Sequence, residues 1–203
     1  MAPPIETRKC EVQSWFDFPD VNSRDFSNRL GDRITENYNS SKKKEPGGAC
    51  YEVCYARVAE ATRQVCGTPL PAIDRVSTFG RLWGSFMKPL DTWLKLPKEY
   101  RGKGAAGAMA WANLGFLIEE RDIWSGRLKS GAVIQTWRHH RDYERVRDGK
   151  EPKSYGHSFI FLSYVRNGKS IVGIKMADQG FQSGSTLKRG EYGYWVGANT
   201  LCS

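Results

Sequence analysis

The sequence predicts an α+β fold, with helices in its first half and an antiparallel sheet in its second. Three observations predict it. Between Cys50 and Cys66 the apolar positions Cys54, Val58, Ala61 and Val65 recur at the spacing of one helix face. From Ser130 onward the chain turns to runs of β-branched and aromatic residues separated by short turns. One of those turns, Arg166-Asn167-Gly168-Lys169, carries the Asn-Gly pair of a tight hairpin.

The 203 residues show no second compositional regime. One domain is expected, an N-terminal arm over residues 1–45 packed on a core formed by residues 46–203. Hydrophobic residues make up 39% and aromatics 12%, with seven Trp, which excludes a disordered chain. The net charge of +9 implies an anionic partner, a role that nucleic acid, an acidic membrane surface or a bacterial cell wall can each fill. A non-catalytic basic module binding nucleic acid is therefore one alternative, against which the basic residues are scattered and no nucleic-acid motif is present. No stretch reaches the roughly 18 apolar residues of a membrane span, and the first 18 residues have neither a basic n-region nor an apolar h-region. The expectation is a protein made in the cytoplasm without a signal peptide and without stable membrane insertion.

In chain order, the arm carries an aromatic anchor, Trp15-Phe16-Asp17-Phe18-Pro19, and the polar run from Asn37 to Lys44 reads as an exposed loop. A helix is predicted from Ala49 to Cys66, closed by Gly67 and followed by Pro69 and Pro71. Residues 73–100, rich in aromatics and broken by Pro89 and Pro97, read as an insertion of short turns. Arg101 to Gly107 lacks the Lys-Ser/Thr ending of a phosphate loop and leads instead into a helix from Ala105 to Gly115. Strands are expected over residues 130–137, 155–165, 170–179 and 192–197 as a meander, with the charged segment 138–154 as a surface insertion.

The chemistry centres on Cys50, which follows the Pro46-Gly47-Gly48 break at the start of the first helix. Backbone N–H groups left unbonded in a first turn, and the positive end of the helix dipole, stabilise a thiolate over a thiol. Cys54 lies one turn further on the same face, and both residues also suit a structural role as small buried side chains. A cysteine nucleophile needs a base, and the base needs a third group to orient it. His157, opening an apolar strand after Gly156, is the candidate base, whereas His139 and His140 sit in an Arg-rich surface segment. Counting outward from the Asn167-Gly168 turn, His157 and Asp178 fall at the same end of the hairpin, so Asp178 is the candidate third residue. The five cysteines, Cys10, Cys50, Cys54, Cys66 and Cys202, form no CxxC and no metal-like spacing, so neither a metal nor another cofactor is expected.

The order of these features is specific. A Gly-rich break, Cys50 at a helix start with Arg57 seven residues on, an Ala/Trp helix, a Gly131-Ala132-Val133 strand ending in Trp137, and Gly156-His157 opening a strand together resemble the CHAP branch of the papain-like cysteine amidases and peptidases. The same order resembles the NlpC-type cell-wall hydrolases and the amidase effectors of type VI secretion. The resemblance covers residues 47–179 and implies a papain-like fold, a cysteine-bearing helix packed on a C-terminal antiparallel sheet. It implies Cys50 as nucleophile, His157 as general base and then acid, and Asp178 as orienting residue, with Gln179 in reserve. Cys54, three residues before Arg57, remains an alternative nucleophile. The implied reaction is hydrolysis of amide bonds in peptidoglycan stem peptides or cross-links, with no metal, and with Trp111, Trp137 and Trp195 either flanking the cleft or buried in the core. The implied setting is an antibacterial effector exported by a dedicated secretion system into the periplasm of target cells, meeting an immunity protein and a component of the secretion machine. A papain-like toxin acting on proteins as protease, deamidase or transglutaminase is the alternative within the same chemistry.

Overall fold

In a computed structural model of the chain, residues 28–40, 50–71, 96–154, 156–177 and 185–201 are described. They form a mixed α+β structure around a six-stranded antiparallel sheet. Its strands are β1 (Gly115–Glu119), β2 (Val133–Trp137), β3 (Gly156–Asn167), β4 (Ser170–Ala177), β5 (Ser185–Lys188) and β6 (Tyr194–Thr200). The spatial order is β1-β6-β2-β3-β4-β5. Strands β2 to β4 follow one another as expected, two unexpected strands, β1 and β5, form the edges, and β6 returns to lie between β1 and β2, so the sheet is not the simple meander the sequence suggested. The return places β2 at the centre, and all five of its residues are buried.

The register divides the side chains between two faces with the period of two that a strand imposes. Val133 pairs with Ile160, Gln135 with Ser158 and Trp137 with Gly156 on one face. Ile134 pairs with Phe159 and Thr136 with His157 on the other. The first face is covered by helices α1 (Arg29–Ser40), α2 (Cys50–Cys66) and α3 (Gly104–Trp111). Leu30, Ile34 and Tyr38 of α1, four residues apart and fully buried, share one buried cluster with Cys54, Val58 and Ala61 of α2 and with Val133, Ile160 and Ala177 of the sheet. Residues of the run read as an exposed loop thus belong to α1: Asn37 and Tyr38 are buried, the Asn37 amide donating to Gln64 Oε1 at 3.0 Å. Its remaining part, the Trp15–Pro19 cluster and most of the 73–100 insertion lie outside the described residues.

Helix α3 is shorter than the predicted helix from Ala105 to Gly115, because Gly115 opens β1. Its first six residues, Gly and Ala up to Met109, are buried, and their small size lets the helix lie close against β1, β2 and β6. A side chain at Gly107 would overlap the Tyr100 carbonyl, so this glycine is required by the approach of the 3-10 turn Lys98–Tyr100.

The opposite face is closed by the short helix α4 (Glu120–Ile123) and the loop after it, through Ile123, Trp124 and Leu128 against Phe159, Phe161 and Trp195. Trp124 meets Trp195 edge to face at 5.2 Å. Tyr164 fastens this layer: its hydroxyl donates to the Ile123 carbonyl at 2.7 Å and accepts from the Leu128 N–H at 2.9 Å, and burial pushes the phenol up to about 12. The segment 138–154, expected as a surface excursion, holds helix α5 (His140–Arg147), whose Tyr143 and Val146 pack on Trp137, Tyr194 and Val196. Among the described residues no helix is long and apolar enough to cross a membrane.

The first layer is keyed to the sheet where α1 meets the turn before β2. Asn28 Nδ2 donates to the Ser130 carbonyl at 2.8 Å, and Gly131, at φ +80°, lies against the backbone of Gly31. A Gly131→Ala substitution therefore places a side chain in a left-handed conformation and into the Gly31 carbonyl. The left-handed term alone costs about 1–2 kcal/mol, so chemical denaturation is expected to show at least that loss of stability.

Candidate active site

Helix α2 carries Cys50 as its first residue, and Cys50 and Cys54 are both reduced and buried. One turn apart, they point into the layer formed with α1, α3 and the sheet, as the spacing predicted. The helix closes at Gly67, which adopts φ +65° as a glycine cap does. Cys66 at its last turn is disulfide-bonded, so it is not a nucleophile candidate. Arg57, seven residues after Cys50, is buried and pairs with Glu60 at 3.5 Å.

His157 is the second residue of β3 and is half-buried. Its ring does not lie beside Cys50. It shares a face with Phe159, 5.5 Å away, and stacks toward Tyr192 at 6.4 Å, in the aromatic layer with Trp195. Cys50 and Cys54 belong to the layer on the other face, with Ile160. The sheet therefore separates the cysteines from the imidazole, and the expectation that His157 faces the start of the helix is corrected. The reason is alternation: Ile160 packs toward α2, so Ser158 and Gly156 share its side and His157 is turned away. Asp178 and Gln179 lie outside the described residues; β4 ends at Ala177, paired with Ile160.

The position facing the helices is occupied instead by a polar pair that sequence reasoning missed. Ser158 Oγ donates to Gln135 Oε1 at 2.5 Å, and Gln135 Nε2 donates to the Thr136 carbonyl at 3.0 Å. Gln135 is fully buried and Ser158 nearly so. A side chain at either Gly104 or Gly156 would strike the Gln135 amide, so two glycines from different elements make room for it. An amide inside the apolar run Val133-Ile134-Gln135-Thr136-Trp137 is the signal that could have found it, since a buried polar group demands partners.

The other candidates divide clearly. His139 and His140 are exposed as expected, His140 approaching Glu144 at 3.7 Å. Trp137 and Trp195 are fully buried and donate to the carbonyls of Gly102 and Tyr192, at 2.6 and 3.1 Å, so they are core and do not line a cleft. Trp111 is half-buried against the α2 layer.

The start of β3 is held in place by Asp142 of α5. Its carboxylate accepts from the Lys153 N–H at 2.7 Å, from the Ser154 N–H at 3.3 Å and from the Ser154 hydroxyl, tying down the connection into Gly156. Burial pushes this carboxyl up, but the Ser154 hydroxyl, the two N–H donors and His139 together hold it below the ordinary carboxylate range. In the comparisons with known proteins, no family model, curated protein or solved structure matches the chain.

A folded-state value below the unfolded one stabilises the fold above the unfolded value and is lost as pH falls through the folded one. Wild type is therefore expected to melt above Asp142→Asn at pH 7. That gap should narrow as pH falls below about 3.9, where the unfolded carboxyl begins to take up its proton. Thermal melts of both proteins between pH 7 and pH 2 check it; a gap that does not change with pH would assign Asp142 a purely steric role.

Proposed function

We propose that the chain is a papain-like cysteine hydrolase that cleaves amide bonds in peptidoglycan stem peptides or cross-links, acting as an antibacterial effector. The observation that carries this reading is the placement of Cys50 as the first residue of a 17-residue helix lying across an antiparallel sheet whose inner strand opens on Gly156-His157. At that position the thiol sits beside first-turn N–H groups that have no carbonyl within the helix to bond. In the proposed reaction the Cys50 thiolate attacks the amide carbonyl and these groups stabilise the resulting oxyanion. His157 delivers a proton to the leaving amine, then withdraws one from the water that releases the acyl group. Asp178, or Gln179 in its place, orients the imidazole.

This chemistry requires His157 on the face of Cys50, opposite to the one its ring occupies. Bringing it there would draw Ser158 off the Gln135 amide and break the buried hydrogen bond between them.

A basic surface of net charge +9 suits an anionic wall, and the same reading includes delivery to the periplasm of target cells by a dedicated secretion system and neutralisation by an immunity protein. The separation of Cys50 from His157 favours a second reading, a basic binding module without catalysis, for which salt-sensitive retention on nucleic acid would persist in Cys50→Ala.

Purified protein incubated with sacculi decides between them. Wild type and Cys54→Ala are expected to release muropeptides with new amine termini. Cys50→Ala and His157→Ala should each lower the rate by at least about 10³-fold, the scale of losing a nucleophile or its base. Undiminished release by His157→Ala would remove the imidazole from the mechanism, and intact sacculi with every protein would strike the cell wall as substrate, leaving a protein-directed toxin or the binding module.

A further inference from the structure

We propose that Cys50 and Cys54 form a reversible thiol–disulfide pair, in which oxidation of Cys50 is captured by Cys54 at the expense of the first turn of α2. Both residues are reduced, both belong to one layer of the core, and they lie four residues apart on one helix. Helix geometry sets their Cα atoms about 6.2 Å apart, from the rise and radius of an α-helix, within the span a disulfide tolerates. Their Cβ atoms, however, lie about 5–6 Å apart in an intact helix, against roughly 3.8 Å in a disulfide. The wound helix and the bridged pair therefore exclude one another.

That exclusion explains an asymmetry within one helix. Cys66, at the last turn, is disulfide-bonded, whereas the pair at the first turn is not, although Cys50 and Cys54 are closest to each other in sequence. Bridging must draw Cys50 out of the helix. As the first residue it has no intrahelical acceptor for its own N–H, so the principal loss is the bond from the Cys54 N–H to its carbonyl.

Cys50 is the residue that reacts first, being 5% exposed where Cys54 is 1% exposed. A peroxide oxidises the Cys50 thiol to a sulfenic acid and is itself reduced to water or an alcohol. The Cys54 sulfur then attacks the Cys50 sulfur, the S–S bond forms, and the hydroxyl leaves as water with the Cys54 proton. A dithiol reductant reverses the bridge, taking up the oxidising equivalent as its own disulfide. The bridged form lacks the first-turn N–H array and would be inactive. That consequence rests on the proposed hydrolysis, whereas the bridge itself does not.

The test uses the full chain with its Cys66 disulfide intact, treated with hydrogen peroxide, alkylated and digested for mass spectrometry. In wild type the peptide holding both residues is expected to lose two hydrogens, to resist alkylation at both sulfurs, and to recover on treatment with dithiothreitol. With dimedone present, Cys54→Ala is expected to accumulate at least about five times more adduct on Cys50 than wild type, because nothing captures the sulfenic acid. Unmodified thiols after peroxide, or equal dimedone adducts in the two proteins, would overturn the proposal. The mass change in wild type needs no variant, and sacculus assays failing in every preparation would strike the proposed hydrolysis while leaving the bridge standing.

Discussion

The arrangement depends on a strand buried on both faces. β2 has helices over one side and aromatic rings over the other, and Gln135 must satisfy its amide in that setting without water. An unpaired amide there would cost about 1–3 kcal/mol, so the Ser158 hydroxyl and the Thr136 carbonyl decide more than local geometry. They fix which residues of β3 look toward the helices. Once Ser158 is committed to Gln135, Gly156 and Ile160 follow it by alternation, and His157 is carried to the far side.

The same commitment orders the layers. Gly104 and Gly156 can sit against the Gln135 amide only because neither has a side chain, so α3 and the opening of β3 are brought to one point of β2. Trp137, two residues further along the same face, donates to the Gly102 carbonyl and secures the entry into α3. Asp142 works from the outer end, holding the backbone that leads into Gly156. Both ends of the β2–β3 connection are thereby restrained by buried polar contacts, the kind of network that specifies one arrangement when all its members are satisfied.

Much of this was legible in the sequence. The apolar face of α2, the Gly67 cap, the Asn167-Gly168 hairpin and the strands around it follow from local periodicity and turn chemistry, which act over a few residues. Helix α1 was legible too, in the spacing of Leu30, Ile34 and Tyr38, but its mean composition is polar and the charged residues between hid the stripe. What could not be read locally was the return of β6 between β1 and β2, because strand order is set by burial across the whole sheet. The face of His157 was lost for a related reason. Its hairpin position relative to Asp178 is a count of residues, whereas its orientation is fixed by a neighbour, Ser158, whose partner lies 23 residues away.

The choice between Cys50 and Cys54 turns on the same distinction between position and surroundings. Both thiols lie in one layer and both precede Arg57, so neither their layer nor that neighbouring charge separates them. Helical bonding does. The N–H of Cys54 points back to the Cys50 carbonyl, as every N–H beyond the first turn must, and an oxyanion formed at Cys54 would find only amides already engaged. An oxyanion formed at Cys50 meets the end of the ladder, where the dipole is also most positive. In the proposed hydrolysis the helix thus favours Cys50 over Cys54 as nucleophile, while the sheet holds His157 on the other face. The proposed chemistry therefore depends on the Ser158–Gln135 bond, which commits the start of β3 to one face and His157 to the other.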